Sequence, residues 1–71
     1  MMNGVNWKQH RHENGYVYHE MTNELYQVVG FIKPEGKQYL ANVKGRSPFH
    51  RKTVKSAKAD VEMIYEKLGI A

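Results

Sequence analysis

Glu24-Leu-Tyr-Gln-Val-Val-Gly-Phe-Ile-Lys-Pro-Glu-Gly-Lys-Gln-Tyr-Leu-Ala-Asn-Val-Lys-Gly45 is the stretch on which the fold turns. Two segments rich in β-branched and aromatic residues, 24–33 and 37–45, flank Pro34-Glu35-Gly36. Both read with a period of two, as strands with one buried face do. Proline presets the first turn position and glycine accepts a left-handed backbone, so the three intervening residues suit a bulged hairpin loop. That loop pairs Lys33 with Lys37. Carried outward, it sets Phe31 opposite Tyr39, Val29 opposite Ala41 and Gln27 opposite Val43, a mostly apolar face fit for burial. The other face pairs Ile32 with Gln38, Gly30 with Leu40, Val28 with Asn42 and Tyr26 with Lys44, and it mixes aliphatic, aromatic, amide and basic groups.

Downstream the period changes. Val54, Ala57, Val61, Ile64, Tyr65 and Leu68 fall within an arc of about 100° on a helix, the width of one buried stripe. Thr53 suits the N-cap, because its hydroxyl can accept from an early backbone N–H. Gly69 suits the left-handed stop, with Ile70 as the accompanying hydrophobic contact. Upstream, a strand is expected over Tyr16–Met21 with a tight turn at Thr22-Asn23. Asn14-Gly15 is a hairpin signal that would join it to a short strand around Val5–Lys8, containing Trp7. Residues 46–52 read as a basic loop leading into the helix. The expected fold is α+β: a three- or four-stranded antiparallel meander over residues 5–45, with one helix over 54–68 packed on one face. The opposite sheet face has no expected cover other than the Val5–Trp7 segment.

Seventy-one residues make one small domain without room for a second core. The chain has no cysteine, which excludes disulfides and thiolate metal sites and fits a reducing, cytoplasmic setting. No apolar run approaches the roughly 18 residues of a membrane span, and Met1-Met2-Asn3-Gly4 lacks the layout of a signal peptide. The net charge of +4 is unevenly spread. Residues 33–58 carry Lys33, Lys37, Lys44, Arg46, Arg51, Lys52, Lys55 and Lys58 against Glu35 alone, a net of +7. The flanking segments are slightly acidic. Such a cluster attracts polyanions.

Gln38, Asn42, Lys44 and Arg46 are the candidates for contacts to bases, since amides pair with adenine edges and basic groups with guanine edges. Arg51, Lys52, Lys55 and Lys58 are the candidates for holding phosphates. Lysines in a first helical turn oppose the helix dipole and suit an anion as partner. Tyr26, Val28, Ile32 and Leu40 give the same sheet face an apolar component that could stack bases or instead anchor a protein partner, such as a host factor bound by a phage-encoded modulator.

His10-x-His12 has a spacing that metals use, and His19 and His50 could join it. Without Cys or Asp nearby the set falls short of three or four ligands, so no metal is expected. Protonated, these histidines add to the positive charge. Catalysis finds no constellation. Asp60 belongs to the helix, Glu62 and Glu66 lie one turn apart on it, and Ser47 and Ser56 lack a nucleophile context. The expectation is a non-enzymatic domain without cofactors that binds nucleic acid, DNA ahead of RNA.

Gly36-Lys-Gln-Tyr-Leu-Ala-Asn-Val43, followed by a basic loop and the helix opening at Thr53, resembles the β-β-β-α DNA-binding domains of plant AP2-type factors and of phage and transposon integrase arm-binding domains. The resemblance covers roughly residues 24–68. It implies that the sheet enters the major groove, with Gln38, Asn42, Lys44 and Arg46 toward DNA and the helix behind. Lys55-Ser-Ala57-Lys58 also resembles part of the last helix of double-stranded-RNA-binding domains. There, however, Val54 replaces an expected lysine, Asp60 and Glu62 replace alanines, and residues 1–15 do not resemble the family's first helix. In general pattern the chain is similar to small phage and prophage proteins of sheet-plus-helix type.

Overall fold

Five strands and one helix follow in chain order: β1 (Asn6–Arg11), β2 (Val17–Thr22), β3 (Val28–Glu35), β4 (Gln38–Val43), β5 (Phe49–Arg51) and α1 (Val54–Lys67). The structure is a computed structural model and describes residues 4–68. The strands form a single antiparallel sheet in the order β1-β2-β3-β4-β5, a meander with the helix packed on one face. This is the expected α+β two-layer architecture, with five strands where the spacing predicts three or four. The added strand is β5, which lies in the segment read as a basic loop and pairs Phe49 with Ala41, His50 with Leu40 and Arg51 with Tyr39.

The two glycine-containing hairpins have loops of different length, and the second is one residue shorter than the three-residue loop expected at Pro34-Glu35-Gly36. At the first, Gly15 N–H donates to the His12 carbonyl (2.8 Å), His12 N–H donates to the Tyr16 carbonyl (2.8 Å), and Gly15 has φ +96°. This is a three-residue loop whose glycine takes the left-handed position. At the second, only Gly36 and Lys37 lie between the strands. Gly36, at φ +61°, holds the first central position of a type II′ turn, whose twist matches that of the flanking strands.

The pairing at the second hairpin is therefore Glu35 with Gln38, Pro34 with Tyr39, Lys33 with Leu40, Ile32 with Ala41, Phe31 with Asn42 and Gly30 with Val43. This corrects the expected register by an odd number of residues, which turns β3 over relative to β4. Ile32, expected on the open face, is fully buried at 0% exposure. Phe31, expected under the helix, lies on the other face. The tight turn expected at Thr22-Asn23 is instead a loop over residues 23–27. It is organised by the Asn23 side chain, whose Oδ1 accepts from the backbone N–H of Leu25 (2.9 Å) and of Gln27 (3.0 Å).

The core lies between the helix and β2, β3 and β4. Met21, Val29, Ile32, Ala41 and Val43 meet Ala57, Val61 and Tyr65, with Val5, Trp7, Tyr39, Phe49, Ile64 and Leu68 at its margin. The helix stripe is the one its periodicity predicts. Gly30, Ala41 and Ala57 keep the layers close, and a Cβ built on Gly30 would stand 2.9 Å from Val61 Cγ1. Thr53 caps the helix, its Oγ1 accepting from Ser56 N–H (3.1 Å). The Gly69 and Ile70 stop signal falls outside the described residues. Val5 and Trp7 pack toward the core and the helix rather than over the open face. Trp7 Nε1–H donates to Glu62 Oε2 (2.6 Å), and Lys58 Nζ stands 5.3 Å from the centre of the indole ring. The edge strand β1 is thereby tied to the helix.

Candidate nucleic-acid interface

The antiparallel register gathers basic residues at one end of the sheet. β3 ends and β4 begins on either side of Gly36-Lys37, β5 ends at Arg51, and α1 starts three residues later. Lys37, Lys52 and Lys55 are exposed there, with Arg51 and Lys58 beside them. The first helical turn contains no acidic residue. Glu62 and Glu66 lie toward the helix C-terminus. The helix thus carries lysines without any acid at its positive pole, a start opposite to the arrangement that stabilises an isolated helix, whereas Lys67 in its last turn follows that arrangement.

The eight residues read from the sequence do not form one patch. β4 runs from Gln38 to Val43, and its roughly 17 Å length separates Lys44 and Arg46 from the helix start. Arg51 is engaged within the fold. Its Nε donates to Asp60, Nη1 donates to the His50 carbonyl (2.7 Å), and its guanidinium lies 4.7 Å from the Phe49 ring centre. Lys58 is engaged with Trp7. The Asn42 side-chain amide donates to the Arg46 carbonyl (3.0 Å), bracing the connection to β5. Gln38, Lys52 and Lys55 remain exposed and, among the described residues, have no ion-pair or side-chain hydrogen-bond partner.

The four apolar anchors also separate. Ile32 is in the core. Leu40 is half-buried at mid-sheet. Tyr26 and Val28 are exposed at the end opposite the lysines. Tyr26, 80% exposed beside the 75% exposed Leu25, has φ +60°, a left-handed backbone that is strained for an aromatic residue.

The sheet face away from the helix is uncovered among the described residues, and its side chains form rows across the strands. One row runs His12, Tyr16, Glu35, Gln38. The next runs His10, Tyr18, Lys33, Leu40, His50, and a third runs Lys8, Glu20, Phe31, Asn42. The first two rows continue the β2–β3 register past its last paired residues. An open face is expected from the sequence, but the rings on it are not, although rings at alternate positions 10, 12, 16 and 18 around a glycine turn are their signal. His12 and Tyr16 stack with centroids 4.6 Å apart and planes 9° from parallel. His10 and Tyr18 stack at 5.2 Å and 21°. His10 Nε2 meets Glu20 Oε1 and His50 Nε2 meets Glu35 Oε1, each at 2.9 Å. His12 Nδ1 accepts from Asn14 N–H (3.1 Å). His10, His12 and His50 thus work as ring and hydrogen-bond partners, and no group of three His, Asp or Glu among the described residues is placed to hold a metal. No helix is long and apolar enough to cross a membrane.

His19 lies on the helix side of β2. Burial, and then the nearby Lys58 charge, hold its pKa below the ordinary 6.5. The unfolded chain therefore binds a proton more readily than the fold does, so this residue removes stability as pH falls below about 6.5. The expected result is that the wild-type melting temperature drops more between pH 7.5 and pH 5 (about those values) than that of His19→Gln. Equal drops for the two proteins would refute it.

Set against known protein families, curated proteins and solved structures, the chain matches none of them.

Proposed function

We propose that this chain is a nucleic-acid-binding domain without enzymatic activity, which collects phosphates at the end of the sheet where α1 begins. The observation that carries this reading is the exposed set Lys37, Lys52 and Lys55 around a helix N-terminus whose first turn has no acid. Exposed N–H groups, the dipole and the lysines all favour the same anionic partner. DNA stands ahead of RNA on the resemblance to β-β-β-α domains, and the general pattern fits a phage or prophage accessory protein acting in the cytoplasm. Gln38 is the exposed amide nearest this end. Lys44 and Arg46 would contribute only to a ligand long enough to span the sheet.

The test is a titration of labelled DNA and RNA oligonucleotides with the full chain at several salt concentrations. Three lysine–phosphate contacts predict a slope of log K against log salt between about −2 and −3. Absence of binding to either polymer at low salt, or binding indifferent to salt, would sink the proposal.

A second reading, a protein-binding module, draws on Leu25, Tyr26 and Val28, three exposed apolar side chains at the start of β3 and in the loop before it. A strained, exposed tyrosine suits an interface anchor. Ile32 is not available to this reading, and Leu40 lies on a different part of the surface.

A further inference from the structure

We infer that the uncovered sheet face is a base-stacking surface for single-stranded nucleic acid, centred on Tyr16, Tyr18 and Phe31. This rests on the nucleic-acid reading above and specifies its ligand. Across the three rows the rings His10, His12, His50, Tyr16, Tyr18 and Phe31 outnumber the aliphatic side chains, with Leu40 inside the rows and Val28 at the far end of the face. An interface for a folded protein is centred on close-packed apolar groups. π-faces interspersed with amides and cations instead suit unpaired bases, every one of which offers a π-face. In a duplex those faces are consumed by stacking, so a flat sheet gains nothing from them.

The rings are also held in place before any ligand arrives. The His12–Tyr16 and His10–Tyr18 stacks join through a tilted Tyr16–Tyr18 contact with centroids 6.1 Å apart. Ordering them beforehand reduces the entropy lost on binding. Charge agrees with this use. Lys33 lies between Tyr18 and Leu40 in its row and Lys8 lies at the β1 edge beside Glu20, so the two lysines of the face match Glu20 and Glu35, and the net positive charge comes from the adjoining end. The row containing Tyr16 also borders the end where Lys37, Lys52 and Lys55 gather. One strand can therefore lay its bases on the face and its backbone toward those lysines.

The experiment is fluorescence anisotropy on the full chain with labelled oligothymidylate, and with the same strand annealed to oligoadenylate. The single strand is expected to bind at least about tenfold more tightly than the duplex. Tyr18→Leu and Phe31→Leu, which keep apolar bulk and remove the ring, are each expected to weaken it by about 5- to 100-fold, whereas Tyr18→Phe leaves it within about twofold. Tyrosine fluorescence of the wild type should also be quenched by oligothymidylate, a readout that requires no variant to fold. Preference for the duplex, leucine variants that bind as the wild type does, or no quenching would overturn the inference. If binding then still depends on Lys52 and Lys55, the phosphate reading survives alone. If neither strand form binds, both readings fall.

Discussion

Gly30→Ala is expected to destabilise the fold by about 1–3 kcal/mol, the cost of overpacking a filled core. The added methyl would meet Val61 Cγ1 at 2.9 Å and the Asn42 carbonyl oxygen at 3.2 Å. The first neighbour is a β-branched side chain with little rotamer freedom in a helix, and the second is backbone of a paired strand, so neither can simply swing aside. Alanine also restricts the unfolded chain, which returns about 0.4–1 kcal/mol, too little to cancel the clash. In a domain of this size 1 kcal/mol moves the melting temperature by about 4–8 °C, so a loss near 10 °C is expected by circular dichroism. Val61→Ala is itself destabilising, because Val61 is fully buried. In the double variant, however, it clears the colliding methyl. The pair should therefore cost less than the sum of the single changes by at least about 0.5 kcal/mol. Additive losses would show that Val61 does not set the closeness of helix and sheet.

That closeness bears on what could be read from the sequence. The helix was legible because periodicity, cap and stripe are local and agree. The strands of the meander were legible by alternation. Their register was not, because Asn14-Gly15 and Pro34-Glu35-Gly36 each accommodate a two- or a three-residue loop. What separates the registers is which β3 residues lie under the helix, with Gly30 against Val61 and Ile32 in the core, a property of the packed layers. β5 was illegible for a related reason. Phe49-His50-Arg51 is too short for any period to show, and only pairing with β4 makes it a strand.

The basic segment was visible as a charge count, but its division was not. The partners that withdraw Arg51, Lys58 and Asn42 from a ligand are Asp60, Trp7 and the Arg46 carbonyl, and no spacing rule links Lys58 to a tryptophan near the chain's start. His10 and His12 show the converse case. Their alternation was legible, but as a metal spacing. Once Tyr16 and Tyr18 are placed across the hairpin, the same alternation becomes a ladder of rings.

Lys52→Glu with Lys55→Glu should move stability and binding in opposite directions. Both side chains are exposed beside the Thr53 cap, so the change disturbs no core contact. A carboxylate near a helix N-terminus is favourable by about 0.3–1 kcal/mol where a lysine is unfavourable, so the melting temperature should rise by a few degrees, on the order of 4 °C or more. The thermal gain should shrink as salt screens the interaction. Binding should respond in the other sense. Two favourable phosphate contacts become two repulsive ones, and affinity for nucleic acid at low salt should fall by about a hundredfold or more. Neutral replacements, Lys52→Gln with Lys55→Gln, should fall between the two and lower the salt slope by about 2. A variant that is more stable and yet no longer binds would identify these lysines as residues kept against the interest of the helix. If stability rises and binding is unchanged, the phosphates lie elsewhere, and the lysines are an ordinary solvated end of α1.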